Sequence, residues 1–113
     1  MLPIDDVVFI TGYLGNQIEK YVRENYAFKS HFVEQVELKG QAHAIALARN
    51  FVAGPTLILF VDTIFDANLE ILNQTDADGV IYVSQVEDPS RFGVVLIEDG
   101  YITKLVEKPN TPV

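Results

Sequence analysis

The sequence of 113 residues predicts an α/β fold, with a mostly parallel sheet followed by a C-terminal antiparallel hairpin. Apolar segments alternate with segments of helical periodicity, which is the order of a parallel sheet crossed by helices. The residues that lead into Asp62 form an almost continuous apolar run, as expected of a strand covered on both faces. Asp99-Gly100 separates two apolar segments, which is a strong hairpin signal.

The first half of the chain predicts a strand, a helix and a second strand. Residues 6–12 are apolar and end in glycine, which suits a sharp exit into a loop. Residues 13–26 predict an amphipathic helix, because their apolar side chains fall on one stripe: Leu14, Ile18, Tyr21 and Val22. Residues 31–36 are short and rich in strand-favouring types, so they complete a predicted βαβ unit.

The second half continues this alternation and ends in the hairpin. Residues 41–52 are rich in alanine and leucine and predict a helix that Gly54-Pro55 terminates. The remaining predictions are a strand from Pro55 to the residue before Asp62, a short helix at 67–74, a strand at 79–86, and hairpin strands at 92–97 and 101–106.

Composition and charge limit the classes of function. The length suits one domain, and 49% hydrophobic with 21% charged residues is typical of a globular protein. With no cysteine, no apolar run of membrane-spanning length and no basic leader, the sequence predicts a cytoplasmic protein without a membrane partner. The formal charge of −8 disfavours polynucleotide binding. A small phosphorylated ligand stays compatible with this charge, since a metal ion and one or two lysines offset local repulsion.

Asp62 follows the predicted third strand and is the first candidate for a functional residue. Ligands of open α/β sheets bind outside the carboxyl ends of the strands, where a carboxylate can hold a metal ion. The alternative is structural: Asp62 starts a turn, and Asp66 caps the short helix that follows. The pattern alone leaves both interpretations open.

Five blocks, in order, resemble the sugar-phosphate nucleotidyltransferases, or nucleotide-sugar pyrophosphorylases, and especially the glucose-1-phosphate thymidylyltransferase type. They are VFITGYLG at 8–15, GQAHAI at 40–45, LFVDTIF at 59–65, EDPSRFGVV at 87–95 and VEKP at 106–109. The resemblance implies a truncated Rossmann-like nucleotidyltransferase sheet. It also implies transfer of a nucleoside monophosphate from a nucleoside triphosphate to a sugar 1-phosphate, with release of pyrophosphate and with Mg²⁺ as cofactor.

The resemblance implies roles for six residues. Asp62 matches the catalytic aspartate that binds the metal, and Lys108 matches a catalytic lysine at the sugar phosphate. The other implied substrate-binding residues are Gln35 and Gly40 at the base, Gly93 beside the sugar and Glu107 at the sugar hydroxyls.

Each residue also has an ordinary structural interpretation. Gln35 suits an exposed strand position, Gly40 a helix entry, Gly93 a β-bulge, and Glu107 with Lys108 a solvated chain end. The two histidines are given no catalytic role: His43 is predicted to serve packing or capping, and His31 to end a strand.

The sequence also departs from the family pattern. Val61 stands where the family has glycine, Thr63 where it has asparagine, and Gln41 where threonine or leucine is common. The glycine-rich, arginine-containing strand and loop that cradle the triphosphate have no match, nor does the later part with a second metal aspartate. The sequence thus predicts a single partial domain over residues 1–113, lacking the N-terminal strand and loop and the C-terminal part.

Three functional hypotheses follow. The first is a nucleotidyltransferase domain with weak or no activity as an isolated chain, and the second is a non-catalytic nucleotide- or sugar-phosphate-binding or structural module. A phosphate-accepting receiver-like domain is disfavoured, because Asp5 and Asp6 precede their strand and lie at the wrong end of the sheet. Strand edges without their family neighbour also predict a homodimer or higher homo-oligomer.

Overall fold

The computed structural model describes residues 2–109. Its helices and strands are, in order, β1 (Asp6–Thr11), α1 (Gly15–Asn25), β2 (Lys29–Glu34), α2 (Gln41–Leu47), β3 (Gly93–Glu98) and β4 (Tyr101–Glu107). Short 3₁₀ helices occur at Arg49–Phe51, Leu69–Asn73 and Pro89–Arg91. Strands β1 and β2 pair in parallel, whereas β3 and β4 pair antiparallel, which confirms the predicted α/β class and the C-terminal hairpin.

The chain divides into two compact units between Thr75 and Asp76. The first unit contains the βαβ element, in which α1 connects two parallel strands with Asp6 opposite Lys29 and Thr11 opposite Glu34. Val22 of α1 is buried, at 5% exposure. The βαβ order matches the prediction. Of the predicted apolar stripe, however, only Val22 is buried, whereas Leu14, Ile18 and Tyr21 are exposed.

Aromatic side chains pack along the first unit. The rings of Phe9 and Phe32 stack across the β1–β2 pair, with centroids 5.1 Å apart, and Phe28 lies 6.3 Å from Phe9. The guanidinium of Arg23 lies 5.1 Å from the Phe32 centroid and pairs with Glu19 one helical turn away. The stacked rings thus join β1 to β2, and the guanidinium of Arg23 over the Phe32 ring joins α1 to this pair of strands.

The second unit contains the hairpin, with Gly93 opposite Glu107 at its open end. Asp99 and Gly100 form its two-residue turn and both have positive φ, at 50° and 83°. Two consecutive left-handed residues define a type I′ turn, whose twist matches that of the flanking strands. The ladder shifts register between Leu96 and Ile97, so the bulge lies there and not at Gly93.

The strand predictions for residues 55–61 and 79–86 are wrong. Neither segment forms a strand, and the described strands pair only as β1 with β2 and β3 with β4. A strand exists only through hydrogen bonds to a neighbour, which an apolar sequence cannot supply by itself. The residues predicted to be covered on both faces are therefore exposed, Leu59 at 58% and Val61 at 104%.

The helix predictions hold with altered ends. The helix predicted over 41–52 ends at Leu47, and the chain continues as the 3₁₀ helix Arg49–Phe51. The short helix predicted over 67–74 is the 3₁₀ helix Leu69–Asn73. Its N-cap is Asn68, whose side-chain oxygen accepts the N–H of Glu70 at 2.9 Å, so the capping alternative for Asp66 is wrong. Among residues 2–109, no helix has the length and hydropathy to cross a membrane.

Candidate functional site

The predicted site residues lie in three places within the described structure. Gln35 and Gly40 lie in the loop between β2 and α2, and Asp62 lies in an exposed turn. Gly93, Glu107 and Lys108 lie at the open end of the hairpin. The first two places belong to the first unit and the third to the second.

Gln35 and Gly40 are brought into contact. The backbone N–H of Gln35 donates to Thr11 O at 2.8 Å, which extends the β1–β2 pairing by one residue. From there the Gln35 side chain reaches across its own loop, and its Nε2 donates to the carbonyl oxygen of Gly40 at 3.2 Å. The loop between β2 and α2 is therefore closed by a side-chain amide, and the two residues predicted to meet the base form one local structure.

Gly40 is the residue that allows this loop to turn into α2. Its φ of 87° lies in the region that glycine adopts readily and other residues avoid. A Cβ built on Gly40 would meet no atom within 4 Å, so the constraint on this position comes from the backbone angle and not from crowding. The ordinary interpretation of Gly40 as a helix entry and the predicted role at the base are compatible in this geometry.

His43 also belongs to this loop, although the sequence suggested only packing or capping for it. Its Nδ1 lies 3.0 Å from Nε2 of Gln35, and the pair is partly buried. The only signal for this role in the sequence is spacing, since a residue three positions after Gly40 lies in the first turn of the helix that Gly40 begins. That spacing does not identify Gln35 as the partner.

A cavity of about 270 Å³ is lined by Glu34, Val36, Glu37, His43 and Leu47. Glu34 and Val36 flank Gln35 in the sequence, and His43 contacts it. This volume is slightly below that of typical pockets for whole small molecules, roughly 300–1,000 Å³. It suits a part of a nucleotide, such as the base, better than the whole. The polar atoms of His43 and Glu34 beside the apolar Leu47 and Val36 would give a flat heterocycle both kinds of contact.

A second cavity, of about 300 Å³, lies where β1 ends and α1 begins. Its lining includes Thr11, Gly12, Asn16 and Glu34. Within the described part of the chain, neither cavity is lined by a residue that the sequence predicted for a site, and none of the residues that line this second cavity hydrogen-bonds to the Gln35 side chain. The cavity beside His43 is the better candidate, because His43 lines it and also contacts Gln35.

Asp62 is exposed and lies in a turn closed by the N–H of Thr63, which donates to Phe60 O at 3.0 Å. The hydroxyl of Thr63 donates to Asp62 Oδ1 at 3.3 Å. Residues 2–109 contain no group of three or more His, Asp or Glu side chains that could hold a metal ion. Mg²⁺ is commonly held by one or two carboxylates together with substrate phosphates and water, so a single exposed Asp62 fits that habit only when a phosphorylated substrate is present.

Gly93, Glu107 and Lys108 come together at the open end of the hairpin. Gly93 pairs with Glu107 across the ladder, and the N–H of Lys108 donates to Phe92 O at 3.0 Å. Lys108 has a φ of 42°, which ends β4, and its Nζ lies 3.9 Å from Glu107 Oε1. One carboxylate and one ammonium group are thus placed beside a residue without a side chain. This arrangement suits a ligand with hydroxyls and a phosphate.

The segment before Gly93 is held by Asp88. The carboxylate of Asp88 caps the 3₁₀ helix Pro89–Arg91, with its Oδ1 accepting the N–H of Ser90 at 3.0 Å. Hydrogen bonds from the Ser90 side chain and backbone hold the pKa of Asp88 below its ordinary value. An ionised cap suits a helix N-terminus, so the approach to β3 is fixed by local hydrogen bonds.

Comparison with known proteins gives consistent relatives. The family model described as nucleotidyl transferase matches residues 2–113. The bifunctional protein GlmU of Methanococcus aeolicus is 30% identical over 110 residues, which cover 96% of this chain and 26% of that protein. The proteins of the same name from Methanococcus maripaludis and Listeria innocua are 35% and 33% identical and are covered over 25% and 24% of their lengths.

The chain thus spans about a quarter of the length of these curated relatives. No solved structure matches it. The finer resemblance to the thymidylyltransferase type stays a prediction, since these relatives carry the name GlmU. The family model covers residues 2–113, far more than half of the chain, and the chain therefore belongs to the nucleotidyl transferase family.

Proposed function

We propose that this chain carries nucleobase- and sugar-phosphate-binding parts of a nucleotidyltransferase that transfers a nucleoside monophosphate from a nucleoside triphosphate to a sugar 1-phosphate, releasing pyrophosphate. The observation that carries the proposal is the contact between Gln35 and Gly40, residues that the resemblance implied at the base. Membership of the family and the cavity of about 270 Å³ beside His43 support it.

In the first unit, Asp62 is the proposed ligand of Mg²⁺. Its carboxylate is exposed, and the Thr63 hydroxyl restrains one of its oxygens. When bound, Mg²⁺ would offset negative charge on the phosphates of the nucleotide. Val61, which replaces the glycine of the family pattern, projects fully into solvent, so its side chain does not crowd Asp62 within the first unit.

In the second unit, the open end of the hairpin is the proposed sugar-phosphate portion. Glu107 would accept hydrogen bonds from sugar hydroxyls, and the ammonium of Lys108 would meet the phosphate. Their separation of 3.9 Å in an exposed setting makes their mutual ion pair weak, so both groups stay available to a ligand.

For the isolated 113 residues, we expect weak or no turnover. One metal carboxylate and no glycine-rich, arginine-containing loop leave most of the charge on a triphosphate without stabilisation. The second candidate function is a non-catalytic binding or structural module that forms homo-oligomers, and the exposed apolar residues before and after Asp62 favour it. The cysteine-free composition fits a cytoplasmic setting for either function.

The test separates binding from chemistry. Pyrophosphate release is measured for each of UTP, dTTP, GTP, ATP and CTP with glucose 1-phosphate and Mg²⁺, and nucleotide binding is measured separately by NMR titration. Binding that is lost in Gly40→Ala, with little pyrophosphate release, is the expected result. If none of the five nucleotides shifts the NMR signals of residues 34–47, the base-binding proposal is overturned.

The role of Asp62 has a matched control within the same segment. Asp62→Ala should weaken the Mg²⁺ dependence of nucleotide binding, whereas Asp66→Ala, four residues later and also exposed, should not. Equal effects of the two substitutions would show that only the general negative charge matters. Robust pyrophosphate release that disappears in Asp62→Ala would instead establish the chain as an active enzyme.

A further inference from the structure

The side-chain amide of Gln35 makes two hydrogen-bond contacts through the same atom. Its Nε2 lies 3.2 Å from the carbonyl oxygen of Gly40 and 3.0 Å from Nδ1 of His43. An amide nitrogen carries two hydrogens, so it can serve both partners at once. Within residues 2–109, the Oε1 atom of Gln35 has no protein partner.

The Gly40 carbonyl determines which way the amide faces. A carbonyl oxygen can only accept a hydrogen bond, so the atom of Gln35 beside it must be the nitrogen. Rotation of the amide by half a turn would place Oε1 against Gly40 O and lose the bond. This contact alone is long and exposed, however, and a net hydrogen bond of this kind contributes only about 0.5–1.5 kcal/mol.

His43 reinforces the orientation of the Gln35 amide, and the same contact fixes the tautomer of the His43 ring. With Nε2 of Gln35 as the donor, Nδ1 of His43 must be the acceptor, and the ring proton must then be on the Nε2 of His43. The His43 ring also lines the cavity of about 270 Å³. The same ring therefore orients Gln35 and offers an N–H donor of its own.

We propose that His43 is a positioning residue that locks the Gln35 amide, so that the carbonyl Oε1 is the group that reads the base. This inference rests on the proposed function for the identity of the ligand. To that function it adds His43 as a positioning residue and a rule for which nucleobases can bind. A base read by Oε1 must offer an N–H at that point, as the imide edge of uracil or thymine and the N1–H edge of guanine do.

The first experiment needs no ligand. In the ¹⁵N-labelled protein at about pH 8, where an ordinary imidazole is neutral, the two side-chain NH₂ protons of Gln35 are assigned by their loss in Gln35→Glu. Both should be shifted downfield and exchange slowly. In His43→Leu, one of the two should lose its shift and exchange faster, and His43→Asn, which keeps an acceptor oxygen near the Nδ1 position, should restore it.

The chain offers a matched control, because it contains two histidines and the other is His31. His31→Leu removes an imidazole that contacts Asp6 and Phe51 but not Gln35, so the Gln35 signals should stay as in the wild type. Unchanged Gln35 signals in His43→Leu, or equal changes in both leucine variants, would overturn the inference.

If His43→Leu does not fold, a second measurement can still be made on the wild-type protein. The ¹⁵N chemical shifts of the His43 ring report its tautomer. A bare Nδ1 with the proton on Nε2 supports the inference, and the reverse tautomer overturns it.

Nucleotide binding separates this inference from the proposed function. For whichever of UTP, dTTP, GTP, ATP and CTP binds best, His43→Leu should weaken affinity by about threefold to tenfold, and His43→Asn should recover most of it. If no nucleotide binds but the Gln35 signals behave as expected, the proposed function fails and the positioning role stands. If a nucleotide binds equally to wild type and His43→Leu, the positioning role fails alone.

Discussion

Gly93 and Glu107 face each other so closely that a Cβ added to Gly93 would lie 3.0 Å from Oε2 of Glu107. The two residues are paired across the open end of the β3–β4 ladder. Oε2 is the far end of a flexible and exposed side chain, so it can move away at little cost in stability. The close approach therefore constrains where the carboxylate stands more than it constrains the hairpin.

Gly93→Ala should displace the Glu107 carboxylate while leaving the fold intact. We expect the free energy of unfolding to change by less than about 0.5 kcal/mol, as for most surface substitutions. Binding of glucose 1-phosphate, followed by NMR titration, should weaken. Gly79→Ala is the matched control in the same unit, because a Cβ there meets no atom within 4 Å. Equal binding by both variants would mean that the position of Glu107 is irrelevant to the ligand.

Gly100→Ala should destabilise the hairpin. The φ of Gly100 is 83°, and a residue with a Cβ pays roughly 1–2 kcal/mol in the left-handed region. Urea denaturation followed through the Tyr101 and Phe92 signals should show the loss, and cross-strand contacts between Val94 and Val106 should weaken in NMR spectra. Gly79→Ala again serves as the control, and a Gly100→Ala variant as stable as that control would argue against the type I′ turn.

Acid should weaken the first unit through Asp6. Its Oδ1 lies 2.8 Å from Nε2 of His31 and 3.2 Å from Nζ of Lys29. These contacts, that of His31 foremost, hold the pKa of Asp6 below its ordinary value of 3.8 in the folded chain. A carboxylate whose pKa is lowered by folding stabilises the fold at a pH above its ordinary pKa. This contribution is lost as the pH falls through the pKa that the group has in the folded chain.

The measurement is the urea midpoint of the first unit at a series of pH values from neutral to about pH 2. In Asp6→Asn the part of the acid-induced decrease that comes from this group should disappear. Asp5→Asn is the neighbouring control, because the contacts of His31 and Lys29 are made to Asp6. Parallel curves for the wild type and Asp6→Asn would contradict the assignment.

The segment around Asp62 should mediate self-association. Val61 and Ile64 are 104% and 100% exposed, and exposed apolar clusters of this kind are typical of interaction surfaces. We expect a dimer or larger species by sedimentation velocity at about micromolar concentration. The double substitution Val61→Asp/Ile64→Asp should shift it towards the monomer. Leu38→Asp, at an exposed apolar residue outside this segment, should not. A monomeric wild type would rule out the oligomer.

The elements that could be predicted are those whose cause is local. Helix α1 and the Asp99-Gly100 turn each depend on signals within a short stretch of sequence, and both are found where the sequence places them. The segments at 55–61 and 79–86 read as strands by composition, but a strand also needs a paired neighbour, which composition does not report. The same limit applies to the site. Gln35 and Gly40 follow from the resemblance, whereas the role of His43 depends on how the loop closes and is visible only in three dimensions.

The two-residue turn of the second unit also determines how fast β3 and β4 can pair during folding. Strands β3 and β4 are joined by Asp99 and Gly100 alone, so their pairing requires closure of a very short loop. Hairpins of this kind form in about 1–10 μs. The parallel pairing of Asp6 with Lys29 must instead wait for an intervening helix to form and pack, and such non-local contacts are slower. When the denatured chain refolds, the hairpin is therefore expected to acquire its native pairing before β1 and β2 acquire theirs.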